Sequence, residues 1–286
     1  MVTRIGRFRV SVPLGAGAVG PLYKAYDEHV GRTVALRVID PAIVRDRARL
    51  DGLLDAARGA ASLSHPCIAT LFDIVAEGGT RVLAFEFVDG MPLRPGAGGR
   101  PVPVREALDL LCALAGAIAH AHERGIAHLD VRPANLLISR RGRPKLLETG
   151  FAAFTNGGRC RRDLGASPDA VTDAARLIAP YLSPEQAIGE VGGEASDVFA
   201  LGVVAYELLV GRRPFGASRV ADTLVRIVSD EPERPGTLNP TISPAVEALV
   251  LGCLDKRPQT RLRAGMVATR LAAMLGELDA AERPRV

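Results

Sequence analysis

The sequence predicts an α+β fold in two lobes, a small β-rich N-terminal lobe with one main helix and a larger helical C-terminal lobe. Three observations predict it. Apolar residues alternate between positions 7 and 40, interrupted by glycines. Helical periodicity dominates from 104 onward. Between them, "GMPLRPGAGGRPVP" (90–103) is rich in Gly and Pro and reads as a linker. In chain order, Phe8, Val10 and Val12 begin one strand, Leu22 and Tyr23 lie on a second, and "TVALRVID" (33–40) reads as a third. Leu50, Leu53, Leu54 and Ala57 have the spacing of a helix within 42–62. Residues 69–75 and 81–88 read as two more strands, with a hinge near 88–92. Ala107, Leu110, Leu111, Leu114, Ile118 and Ala121 form one helical stripe. The segment 197–211 is apolar nearly all round and predicts a buried central helix. Further helices are expected near 217–229, 243–254 and 264–279. The expected division is 1–88, 89–280 and a tail at 281–286.

Composition narrows the function classes. The chain has 286 residues, is 48% hydrophobic and 24% charged, and carries a formal charge of +4, too small to imply nucleic-acid binding. Lys24, Lys145 and Lys256 are its only lysines, and arginine supplies the other basic residues, as expected of a GC-rich, bacterial source. Cys67, Cys112, Cys160 and Cys253 have no CxxC spacing and read as reduced structural residues. No run reaches 18 apolar residues, and "MVTRIGRFRV" has no apolar signal region, so the expectation is a cytoplasmic protein with no membrane segment in this chain.

Five stretches carry chemistry. "LGAGAVGPLY" (14–23) holds GxGxxG at Gly15, Gly17 and Gly20. Alone this is weak, but a dinucleotide fingerprint runs into a helix, whereas this one runs into a strand. That favours a hairpin lid over phosphates. "HLDVRPANLL" (128–137) places Asp130 and Asn135 on a loop after a long helix, a spacing that suits a proton acceptor and a metal ligand. "KLLETG" (145–150) is a strand ending in Glu148 and a glycine. "YLSPEQ" (181–186) and "DKRPQTR" (255–261) complete the series. Arg37 is the odd residue of its strand, a guanidinium among Val34, Leu36, Val38 and Ile39.

With these motifs in this order, the chain resembles a bacterial Hanks-type serine/threonine protein kinase domain over about residues 7–272. The resemblance implies a bilobal kinase fold that binds ATP and Mg²⁺. It places Gly15, Gly17 and Gly20 over the ATP phosphates. Leu22, Ala35 and Leu137 would belong to the nucleotide-binding residues, Phe85 would be the gatekeeper, and Glu86 and Val88 would present hinge backbone groups to adenine. Arg37 stands at the phosphate-binding strand lysine, and Arg132 at the catalytic-loop lysine. Asp130 would accept the substrate hydroxyl proton, while Asn135 and Glu148 would hold the metal. Glu185 and Arg261 match a structural ion pair, and Asp197 matches the brace of the catalytic loop.

The chain also departs from the family. No Glu occurs between Glu28 and Glu77, so the helix supplies no glutamate for Arg37. The expected position is Ala56, and the adjacent Asp55 lies about 100° away round the helix. DFG is Glu148-Thr149-Gly150, which removes an aromatic from the spine behind the site. HRD is His128-Leu129-Asp130, and Ile178 replaces a threonine that bonds the catalytic aspartate. Codon bias explains Lys→Arg changes but not the joint loss of the glutamate, the aspartate and the threonine. Glu148 keeps a carboxylate displaced by about 1 Å, enough to cost about 10²-fold in rate. Guanidinium and ammonium differ in shape at a tight phosphate site. The expectation is ATP binding with weak or lost transfer to protein Ser/Thr hydroxyls, and weakened metal binding. The alternative is a pseudokinase, a regulatory or scaffolding protein-binding module. A small-molecule phosphotransferase fits less well, because "YLSPEQ" reads as a peptide-docking segment. Thr155, Ser167 and Thr172, in the segment after ETG, are candidate autophosphorylation targets; with Leu129 in place of the HRD arginine, phosphate there is not expected to be read in the usual way, and Arg161 and Arg162 are expected to form a solvated basic patch. No protein substrate or partner is named by the sequence.

Overall fold

The computed structural model describes residues 4–17, 19–77, 79–96, 99–151 and 173–282. Cys160 and the expected phosphorylation segment, with Thr155, Arg161, Arg162, Ser167 and Thr172, lie outside the described residues.

The N-terminal lobe is an antiparallel sheet of six strands: β1 (Arg4–Ile5), β2 (Phe8–Gly17), β3 (Gly20–Asp27), β4 (Arg32–Val38), β5 (Leu71–Glu77) and β6 (Thr80–Glu86). Their order in the sheet is β1-β2-β3-β4-β6-β5. The strand period of two sorts β4 onto two faces. Val34 and Leu36 pack with Phe8, Val10, Ala25, Val82 and Ala84 on one face. Ala35 and Arg37 share the other, opposite Phe85 and Leu83 of β6, with Leu22 of β3 across from Arg37.

The expected helix at 42–62 is divided. α1 (Pro41–Arg45) ends where Asp46 accepts a hydrogen bond from the Arg49 amide and caps α2 (Arg47–Ala61). Leu53, Ala57 and Ala60 turn toward the sheet, where they join Ile39, Leu71, Leu83 and Phe85. A second sheet, β7 (Gly90–Pro92), β8 (Leu136–Ser139) and β9 (Pro144–Leu146), roofs the C-terminal lobe beneath the first.

The C-terminal lobe is built on α3 (Val104–His122). Then follow α4 (Asp173–Ile178), α5 (Pro184–Ala187), α6 (Glu194–Val210), α7 (Val220–Ser229), α8 (Pro235–Leu238), α9 (Pro244–Cys253) and α10 (Ala264–Glu282). As expected, α6 is the centre: every residue from Ser196 to Leu209 is buried. Phe199 and Phe215 stack there at 6.0 Å, and the Lys256 ammonium lies 3.7 Å from the Phe215 ring centre. Glu185 and Arg261 form a buried bidentate pair at 2.8 and 3.0 Å. Burial raises the Glu185 carboxyl, but Arg261 and Ser196 outweigh it and hold it at about 2. Cys67, Cys112 and Cys253 are unpaired, and burial pushes Cys253 up to about 12, consistent with structural thiols. Among the described residues, no helix is long and apolar enough to cross a membrane.

Candidate active site

Between the two sheets lies a cleft of about 450 Å³. Gly15, Gly17, Leu22, Ala35, Arg37, Phe85, Glu86, Val88, Asp130, Arg132, Asn135, Leu137 and Glu148 all line it. Gly20 does not. Its φ is +138°, and a Cβ there would come within 2.0 Å of the Val38 carbonyl, so this glycine serves close strand packing.

Arg37 is 7% exposed and points into the cleft. Its Nη1 donates to the Gly20 carbonyl at 2.8 Å, and its Nη2 pairs with Glu148. A Cβ on Gly17 would lie 3.1 Å from Nη1, so the guanidinium sits directly beneath the glycine loop. Burial lowers its pKa to about 10, which leaves it charged at neutral pH. Sequence reasoning left Arg37 with nothing to orient it, and this is corrected here: the strand carbonyl and the ETG carboxylate hold it. Asp55 takes no part, being exposed and paired with Arg58.

The loop carrying Asp130 is held from below. Leu129 adopts φ 60°, a costly conformation for a non-glycine residue. The fully buried Asp197 carboxylate accepts from the Leu129 amide at 2.6 Å, the His128 amide at 2.7 Å and His122 Nε2 at 2.8 Å. His128 Nε2 donates to the Leu147 carbonyl at 2.7 Å, linking this loop to the segment between β9 and Glu148; the expected strand ends at Leu146, two residues before Glu148. Asn135 Nδ2 donates to the Asp130 carbonyl at 2.9 Å and to Oδ2 at 2.8 Å. Arg132 Nε donates to Asp130 Oδ1 at 2.7 Å, so the side chain at the catalytic-loop lysine position bonds Asp130. Ile178 is buried in an apolar cluster with Ala175 and Leu182.

A family model described as the protein kinase domain matches residues 8–270. The chain belongs to the protein kinase domain family. It is 34% identical over 271 residues to the serine/threonine-protein kinase PknA of Mycobacterium tuberculosis, covering 92% of this chain and 60% of that protein. It is 33% identical over 263 residues to a probable serine/threonine-protein kinase of Streptomyces coelicolor, covering 90% and 38%. Against PrkC of Bacillus subtilis the identity is 32% over 256 residues, covering 88% and 38%. The chain thus spans between 38% and 60% of the length of these relatives. The crystal structure of the M. tuberculosis PknI kinase domain superposes with a TM-score of 0.68 at 24% identity, covering 95% of this chain and 97% of that one, a likeness of fold.

In this kinase domain the aromatic missing at Thr149 is supplied two residues later. Phe151 is 3% exposed and meets the gatekeeper-position Phe85 edge-on, with ring centres 5.7 Å apart. It packs with Leu53, Ala57, Ala60 and Leu71, joining α2 to the sheet. The expected loss of the spine aromatic is therefore corrected. Glu148 takes φ 57° and Gly150 φ 86°, and that backbone path carries Phe151 into the apolar space. Among the described residues, the buried Thr149 Oγ1 has no hydrogen-bond partner. Behind the hinge, Lys145 pairs with Glu86 at 2.7 Å, and the Glu86 amide donates to the Thr70 carbonyl at 2.8 Å. The ETGF run was the available signal for Phe151, whereas neither the Lys145–Glu86 pair nor the Arg37–Glu148 pair had a local one.

Protein kinases in general act with ATP and Mg²⁺. Of the two residues expected to hold the metal, Glu148 is paired with Arg37, and Asn135 bonds Asp130 through its Nδ2. Glu148 is neutralised by Arg37, and both Asp130 oxygens accept from Arg132 and Asn135. Among the described residues there is no group of three His, Cys, Asp or Glu side chains that could hold a metal.

Proposed function

We propose that this chain is an ATP-binding serine/threonine kinase-like domain, with the nucleotide lobe at 1–88 and the catalytic-loop lobe at 89–280, in which phosphoryl transfer is weak or lost. The observation that carries this reading is the Arg37–Glu148 ion pair. It engages the strand cation and the ETG acid with each other, and α2 supplies no acid in their place. The glycine loop, Leu22, Ala35 and Leu137 would enclose the nucleotide base and phosphates, with Val88 and Glu86 at the hinge. Asp130 is the acceptor for a Ser/Thr hydroxyl proton, oriented by Asn135 and Arg132. Binding of Mg²⁺ by Asn135 and Glu148 is weakened, because the carboxylate must first leave a buried guanidinium.

A second reading is a pseudokinase that acts as a regulatory or scaffolding module for a protein partner. The packing of Phe151 favours it, since the core behind the cleft is complete although the acid from α2 is lacking. Transfer of labelled γ-phosphate, with Asp130→Asn as control, tests both. Turnover in the range of about 1–100 s⁻¹ usual for protein kinases, abolished in the variant, would overturn the proposal. ATP binding with only slow or undetectable transfer supports it. Failure of Arg37→Lys, Ala56→Glu and Glu148→Asp together to raise activity would mean that the defect lies elsewhere.

A further inference from the structure

We propose that Arg37 is the resident cation of the nucleotide site, holding Glu148 on one side and nucleotide phosphate on the other, so that the cleft takes a nucleoside di- or triphosphate as the metal-free anion. This rests on the reading that the cleft binds nucleotide, and it deepens it.

The placement of the guanidinium carries the argument. Arg37 lies beneath Gly17, bonds the carbonyl of Gly20 and reaches Glu148, so it spans the space from the glycine loop to the ETG acid. A phosphate under that loop would meet this group first. Guanidinium has five N–H donors in a fixed fork and no acceptor, and these two bonds use two of the five. The remaining donors can serve phosphate while the carboxylate stays bound, which a single ammonium point charge does less well.

A divalent ion meets the opposite situation. To reach Glu148 it must displace a buried, charge-assisted bond and leave the guanidinium without its partner. Asp130, another acid lining the cleft, is already committed to Arg132 and Asn135.

Calorimetric titration of the chain with ATP, in EDTA and in excess MgCl2 at equal ionic strength, tests this. Equal affinity in the two buffers within about threefold is the expected result. Arg37→Met should weaken binding in EDTA by about tenfold to a hundredfold, the scale of hydrogen bonds to a charged group. Binding that Mg²⁺ tightens more than about tenfold, with the gain lost in Glu148→Gln, would overturn this inference and leave the nucleotide-binding reading intact. Absence of binding in both buffers would overturn both. The comparison of buffers on the unmodified chain decides the matter even where a variant fails to fold.

Discussion

Truncating Phe151 to alanine removes the ring that replaces the missing spine aromatic. The side chain is 3% exposed, packs with Leu53, Ala57, Ala60 and Leu71, and meets Phe85 edge-on at 5.7 Å. Burying a phenylalanine and then deleting it costs about 3–5 kcal/mol, cavity included. The aromatic pair supplies about 0.5–1.5 kcal/mol of that. Domains of about 150–250 residues lose about 2–4 °C in Tm per kcal/mol, so Phe151→Ala should melt about 6–20 °C lower. Circular dichroism melts with a urea titration measure it. A double-mutant cycle with Phe85→Ala isolates the ring pair and should return the coupling energy of an aromatic pair. Thr149→Ala, which removes a buried hydroxyl without a partner among the described residues, should be neutral or stabilising. A loss below about 1 kcal/mol for Phe151→Ala, the size of an ordinary surface change, would refute the packing argument. So would a coupling indistinguishable from zero.

Other expectations concern the frame around the cleft. Asp197→Asn leaves three donors facing an amide in place of a carboxylate, and should cost about 2–5 kcal/mol, read by chemical denaturation. Gly20→Ala drives a Cβ against the Val38 carbonyl and should destabilise by about 1–3 kcal/mol or more. Gly17→Ala would press a Cβ to within 3.1 Å of Arg37 Nη1, which Gly20 and Glu148 hold in place, so ATP affinity should fall. The Glu185 carboxyl sits near 2 in the fold, against a usual value of about 4.3 when unfolded. A depressed acid stabilises the fold above the unfolded value, and that share is lost as pH falls from about 4.3 toward 2. Melts across that window should steepen in the unmodified chain and flatten in Glu185→Gln; equal slopes would remove Glu185 from the account.

The sequence by itself determined the two lobes, the order of their elements and the site's positions along the chain. Those are local signals: the period of two in β4, the period of 3.6 in α3, the all-round apolar run of α6, and glycines followed by a strand. Asp130, Asn135 and Glu148 were legible because their loop and strand neighbours are consecutive. The short α1–α2 break was not legible, since it turns on whether Asp46 caps a helix or continues one. Only the tertiary structure decided what Arg37 does. A strand pattern says that this residue faces a cleft and nothing about what closes over it. Its partners come from the neighbouring strand at Gly20 and from the far lobe at Glu148. Likewise Thr149 looked like a lost aromatic until the left-handed turn at Glu148 and Gly150 carried Phe151 onto Phe85. Contacts between segments distant in sequence are set by packing and by the pairing of buried charge, and no local pattern encodes them.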